Sequence, residues 1–294
     1  MSLRFEDEDG GHIQGRSEWV TTRDGRRLHA MVLPGPGLHT PTVVFEAGAA
    51  ATRSSWALVQ PAVGAFARAI VYDRCGLGRS AADPTSRTLR RMADDLTDLL
   101  DHFGPGPFIL VGHSAGGPIV RLTAADGPGR ISGLVLVDPA DEASDVLRSP
   151  AFRRFERAAI QINLLLARTR LFRYAYRSTI RPLPEDARRD MEREGFTVGV
   201  VRTHAAQART FLDELATWRV TPPGLGGIPV TVVSGGRAGD GMPARVRADA
   251  NASHACRAAQ SMNGRHVIAE GSGHYVPITE PGVIIEEIRR LSEA

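Results

Sequence analysis

Lysine is missing from this chain: every one of its 36 basic residues is arginine. Beside the abundance of alanine and glycine we read this as a trait of coding composition, and no catalytic inference rests on it. Cysteine is nearly missing. Cys75 and Cys256, with no close spacing, support neither a disulfide framework nor a zinc site. No apolar run approaches the length of a membrane span, which argues against an integral membrane segment. The acidic opening, residues 1–10, has no apolar core and does not read as a signal peptide, so a soluble, cytoplasmic protein is expected. A strong excess of one charge is also lacking. The net charge is +3, with no concentration of basic residues in the strand-forming segments, and nucleic acid is not expected as a partner. What remains is ordinary for a globular chain, 42% hydrophobic and 23% charged. A length of 294 residues buries a sizeable core and fits one large α/β domain with an insertion, or two small domains.

Organisation follows from short apolar runs. Residues 18–22 and 27–33 flank Arg23-Asp24-Gly25-Arg26, an Asp-Gly hairpin signal, so an antiparallel edge is expected to start the sheet. Further runs at 42–45, 69–72, 108–111, 134–137, 230–233 and 266–269 are brief and apolar enough to be buried on both faces, as in a parallel sheet covered by helices. Helices are expected at 89–102, with Leu89, Met92, Leu96, Leu99 and Leu100 on one stripe, and at 281–291, with proline in its first turn.

Between Val137 and Val230 the strand rhythm gives way to helical material. Phe152, Phe155, Ala159, Ile162 and Leu166 fall at helical spacing, as do Val198, Val201, Ala208, Phe211, Leu215 and Trp218. Both stripes read as core-facing. The expectation is a helical cap over 141–222 inserted into a core of 1–140 and 223–294, closing on the Pro/Gly-rich stretch 221–227. Between Arg148 and Arg181 stand nine arginines and one acidic residue, Glu156, interleaved with aromatic and leucine side chains. Such a stretch is a solvated face, or else a surface for a membrane or an anionic ligand. The second alternative predicts substrates with an anionic or amphiphilic tail.

One segment carries chemistry. Gly112-His113-Ser114-Ala115-Gly116 follows the apolar run 108–111 and precedes a helical stretch, as the G-x-S-x-G nucleophile elbow requires. In a chain with 31 glycines the bare pattern could arise by chance, and the strand-turn-helix context is what gives it weight. The glycines admit the tight turn, the turn exposes the Ser114 hydroxyl, and the following helix start offers unpaired N–H groups to developing negative charge. Acyl transfer through a serine ester is the chemistry implied.

With this elbow, strand rhythm and insertion, the chain resembles the α/β-hydrolase superfamily over nearly its whole length. Phe45-Glu46-Ala47-Gly48-Ala49, with Trp56 downstream, looks like that superfamily's oxyanion loop, and Tyr72-Asp73-Arg74-Cys75-Gly76-Leu77-Gly78-Arg79-Ser80 looks like its Y-D-x-x-G-x-G-x-S turn. Gly271-Ser272-Gly273-His274, followed by Glu280-Pro281, resembles the loop that delivers the catalytic histidine. The resemblance implies an α/β fold with a mostly parallel eight-stranded sheet, helices on both faces and a helical cap.

It also implies Ser114 as nucleophile and His274 as base, with the Ala49 and Ala115 N–H groups as oxyanion donors and no metal or other cofactor. His113 is expected to be a packing residue, and Glu46 a buried loop anchor with a lesser chance of touching substrate. Two acids stay open for orienting His274: Asp138, at the end of the 134–137 strand, is preferred, and Asp240, in the glycine-rich loop after the next strand, is the alternative. The function expected is hydrolysis of a small carboxylic ester, lactone or thioester. Acyl transfer on the same triad and a non-catalytic small-molecule receptor remain as alternatives.

Overall fold

The structure, a computed structural model, describes residues 11–37 and 41–293. The acidic opening on which the leader expectation rested therefore lies outside the described residues. Eight strands form one sheet in the order β1-β2-β4-β3-β5-β6-β7-β8. They are β1 (Arg16–Thr21), β2 (Arg27–Leu33), β3 (Thr42–Glu46), β4 (Ala69–Tyr72), β5 (Phe108–His113), β6 (Ile131–Val137), β7 (Val230–Gly235) and β8 (Gly264–Ala269). β1 and β2 form the expected hairpin, β2 runs antiparallel to β4, and every later pairing is parallel.

Side-chain alternation divides the core into two layers. Leu110, Leu134 and Leu136 face one side, against Leu96 and Leu99 of the helix Leu89–Phe103 and Ile119 of the helix Gly116–Asp126. Ile109, Val111, Val135 and Val137 face the other, against Val63 and the helix Pro281–Ser292 through Ile284 and Ile288. Two expectations need adjusting. β6 begins at Ile131, ahead of the apolar run read from sequence, and β8 is half exposed because the sheet ends there. Among the described residues no helix is long and apolar enough to cross a membrane.

Between β6 and β7 the chain is helical, as the broken rhythm suggested. Its longest element, Pro150–Arg168, starts where sequence rules place a start: the Ser149 hydroxyl accepts from the Phe152 N–H at 3.1 Å, and Pro150 needs no hydrogen bond at the first position. The excursion is tied to the sheet by Arg53, which is fully buried. Its guanidinium donates to Asp73 at 2.6 Å and to Glu194 at 2.5 Å, and also meets Asp190, both from the helix Glu185–Glu194.

One stripe read from sequence faces the core only in part, through Phe152 and Leu166. Ile160 and Ala167 are the buried positions of the helix Pro150–Arg168, whereas Phe155 and Ile162 are more than half exposed. The helix lies over a cavity instead of a filled interior, so periodicity located an apolar face without fixing what that face meets. The second stripe holds, with Val201, Phe211, Leu215 and Trp218 buried.

Candidate active site

The turn after β5 explains its own glycines. A Cβ on Gly112 would sit 2.6 Å from the Gly116 carbonyl oxygen, and one on Gly116 would sit 2.6 Å from that of Glu46. Only hydrogen fits at either place. Ser114 itself is held at φ 52, a conformation costly for a residue with a side chain, and its backbone is fixed by N–H donation to the Val137 carbonyl at 3.0 Å. The hydroxyl is thereby raised into a cavity of about 800 Å³ whose lining also includes Ala49, Ala115, Asp138, Asp240 and His274.

His274 Nδ1 lies 2.6 Å from Asp138 Oδ2, and its Nε2 lies 3.1 Å from Ser114 Oγ. Since an ionised carboxylate only accepts, Nδ1 carries the proton and Nε2 is left to accept from the serine hydroxyl. Asp138 is almost fully buried and sits at φ 41. Its carboxylate also accepts from the Gly235 N–H at 3.0 Å and from both Nη atoms of Arg247, one of them at 3.0 Å. Burial works to raise its pKa. The hydrogen bond and charge of His274, with Arg247, outweigh burial and hold the carboxyl well below the usual carboxylate range.

Asp240, the other candidate acid, meets a different part of the same residue. Its Oδ2 accepts the His274 backbone N–H at 3.1 Å. On the opposite side, His113 Nε2 donates to the His274 carbonyl at 2.9 Å. The histidine loop is thus held at N–H, C=O and imidazole by three different residues. His113 is a packing residue, as expected, and a support as well; burial pushes its pKa down to about 3, so the ring stays neutral.

On the loop after β3, Gly48 comes so close to the elbow that a Cβ there would be 3.3 Å from that of Ser114. Neither the Ala49 nor the Ala115 N–H meets an acceptor among the described residues. Glu46 is buried and bonds the Tyr72 hydroxyl and Arg74. Arg74 in turn donates to the Ala47 and Gly48 carbonyls, each at 2.5 Å. Glu46 thus anchors this loop through Arg74 and is not part of the cavity lining.

Arg74 and Arg247 are supports that sequence reading did not single out. Arg74 could have been noticed inside the Y-D-x-x-G turn, but nothing distinguishes Arg247 from neighbouring arginines until the fold brings its helix, Ala244–Gln260, against Asp138.

The rest of the cavity is mostly apolar, with Leu147, Phe152, Phe155, Ala159, Phe211 and Leu212 among its walls. Glu156 and His204 face it from the helical excursion, and burial favours the neutral form of each: Glu156 is raised and His204 is lowered to about 4. None of the arginines between 148 and 181 lines it. The preference for an anionic or amphiphilic tail read from this stretch thus has no arginine of the cavity wall behind it.

Known proteins share parts of this chain. Over 118 residues, 40% of the chain, it is 36% identical to the protein of Caulobacter sp. (strain K31) named "Putative carbamate hydrolase RutD", of which the match covers 43%. A Gibberella zeae "AB hydrolase superfamily protein" is 42% identical over 83 residues, which are 28% of this chain and 26% of that protein. These matches span less than half the length of either relative. Among solved structures, Cfl2 from Burkholderia cenocepacia superposes with a TM-score of 0.71 at 21% identity, covering 94% of this chain and 95% of that one. A malate-bound thermophilic esterase from Thermogutta terrifontis does so at 0.68 and 22%, covering 94% and 97%. At such identities the likeness is one of fold. The model of the alpha/beta hydrolase family matches residues 43–287, from β3 into the last helix and across Ser114, Asp138 and His274. On that match the chain belongs to the alpha/beta hydrolase family.

Proposed function

We propose that the protein is a cofactor-independent serine hydrolase that cleaves a carboxylic ester, lactone or thioester through an acyl-enzyme. The observation that carries this reading is the hydrogen-bonded chain Ser114–His274–Asp138, with 3.1 Å and 2.6 Å between its members. Ser114 Oγ attacks the substrate carbonyl carbon while His274 Nε2 takes the hydroxyl proton. The resulting imidazolium returns that proton to the leaving alcohol or thiol as the carbon–heteroatom bond breaks. Water then adds to the acyl-enzyme with His274 again as base, releasing the acid and restoring Ser114. Asp138 holds the imidazole in the tautomer that leaves Nε2 free and stabilises the imidazolium. Ala49 and Ala115 donate N–H groups to the oxyanion, and residues 141–222 act as a cap whose apolar side chains receive the acyl group.

A serine at the elbow favours this reading over epoxide or dehalogenase chemistry, for which the resemblance to the superfamily implies an aspartate at that position. The name of the Caulobacter relative adds carbamates to the substrates worth testing, since their carbonyl is open to the same attack. The test is a panel of acyl esters of graded chain length, lactones, thioesters and aryl carbamates assayed with the intact protein and with Ser114→Ala. We expect at least one ester series to be hydrolysed and the variant to lose ~10³-fold or more in kcat. Equal turnover by folded Ser114→Ala would refute the proposal.

A further inference from the structure

Among the described residues, large apolar side chains are left exposed at few places, and most of these fall in one stretch of the sequence. Of the nine identified among the described residues, Phe155, Ile162, Leu165, Leu171 and Tyr174 fall between residues 155 and 174, each at least half exposed. At about 100° per residue, Phe155, Ile162 and Leu165 share one stripe of the helix Pro150–Arg168, while Arg154, Arg157 and Arg168 occupy the stripe beside it. The opposite face packs inward through Ile160 and Ala167. An apolar stripe flanked by arginines, with long stems able to lie on apolar surface and charged heads beyond it, is the division expected of a helix lying in a lipid–water interface.

Charge narrows the partner. Of the nine arginines from Arg148 to Arg181, Arg148 pairs with Asp145 and Arg153 with Asp213. The other seven meet no carboxylate among the described residues. Elsewhere in the molecule arginines are commonly paired, as Arg26 is with Asp95, Arg121 with Glu142 and Arg257 with Asp141. Beside Leu171 and Tyr174 opens a cleft of about 600 Å³, lined by Arg170, Arg173, Arg189 and Arg193 against the single acid Glu192. That cleft has the size and charge to take an anionic headgroup. A second copy of this chain would set these unpaired cations against themselves, and a neutral protein partner would leave them unanswered.

We propose that the helix Pro150–Arg168 and the turn through Tyr174 dock the protein peripherally on an anionic phospholipid surface, with Ile162, Leu165 and Leu171 entering the acyl boundary and the arginines meeting lipid phosphates. Phe155 is both exposed and part of the cavity wall, so it forms a rim of the cavity, and docking would turn that rim toward lipid. The inference is independent of the proposed chemistry, because Ser114→Ala should dock as well as the parent.

Flotation of the full-length protein with vesicles of phosphatidylglycerol and phosphatidylcholine in equal parts, and with phosphatidylcholine alone, tests it. Binding is expected to the anionic vesicles, weakened by added salt and nearly absent on neutral ones. Arg154→Gln, Arg157→Gln and Arg168→Gln should each weaken it about five-fold. Ile162→Ser with Leu165→Ser should weaken it without changing turnover of a water-soluble short-chain ester, which also reports that the variants fold. The proposal is overturned by no binding to either vesicle, by equal binding of parent and variants, or by a concentration-dependent dimer that Leu165→Ser dissociates, which would assign the face to a second copy.

Discussion

Asp138 and Asp240 both touch His274, but only one touches the ring. Asp138 reaches Nδ1 from a buried, rigid position, and it is the group that fixes which nitrogen stays free for Ser114. Asp138→Asn is therefore expected to cost up to ~10⁴ in kcat with little change in KM, because an amide at that site can present a donor to Nδ1 and favour the wrong tautomer. Asp240 accepts a backbone N–H, and the amide oxygen of Asn would still accept it. Asp240→Asn should cost less than about ten-fold in kcat. Steady-state kinetics on folded, purified variants decide this, and the reverse order would move the orienting role to Asp240. Ser114 and His274 were legible because each sits in a loop whose glycines announce a tight turn. The choice of acid was not, since the loops after β6 and β7 both converge on the histidine and their reach depends on side-chain direction.

The helix Pro150–Arg168 shows where patterning stops being informative. Its start was readable from Ser149 and Pro150, and its apolar spacing from Phe152 and Phe155 onward. What those residues meet depends on the helix being held above the sheet, through ties such as Arg53 to the neighbouring helix Glu185–Glu194. The sheet strands were easier to read: a run such as Leu134 to Val137 has one environment on each face, and alternation assigns both. On the cavity side of this helix, Ala159 leaves space that a larger side chain would fill. That space suits longer acyl groups, so Ala159→Phe is expected to lower kcat/KM for long-chain esters at least about ten-fold more than for acetate esters. Equal losses across chain lengths would show that this helix does not shape the acyl site.

For the whole molecule, acid should destabilise through histidine before it does so through carboxylate. Burial lowers His113 to about 3 and His204 to about 4, from an ordinary 6.5, and it lowers His254 too. Between those values the unfolded chain binds protons that the folded one refuses, so stability is lost as pH falls from 6.5 toward about 4. The depressed Asp138 contributes stability that is present above the ordinary 3.8 and is lost only at lower pH. Tm should hold level above 6.5 and decline below it, less steeply in His204→Gln; a level Tm down to about 4 would contradict the buried-neutral assignment. The central claim, that this fold raises Ser114 as an activated nucleophile, is tested most directly by intact mass and peptide mapping after treatment with a fluorophosphonate. One adduct per chain, on Ser114 and missing from Ser114→Ala and His274→Ala, is the predicted result. An unlabelled parent protein, or labelling that persists in Ser114→Ala, would contradict it.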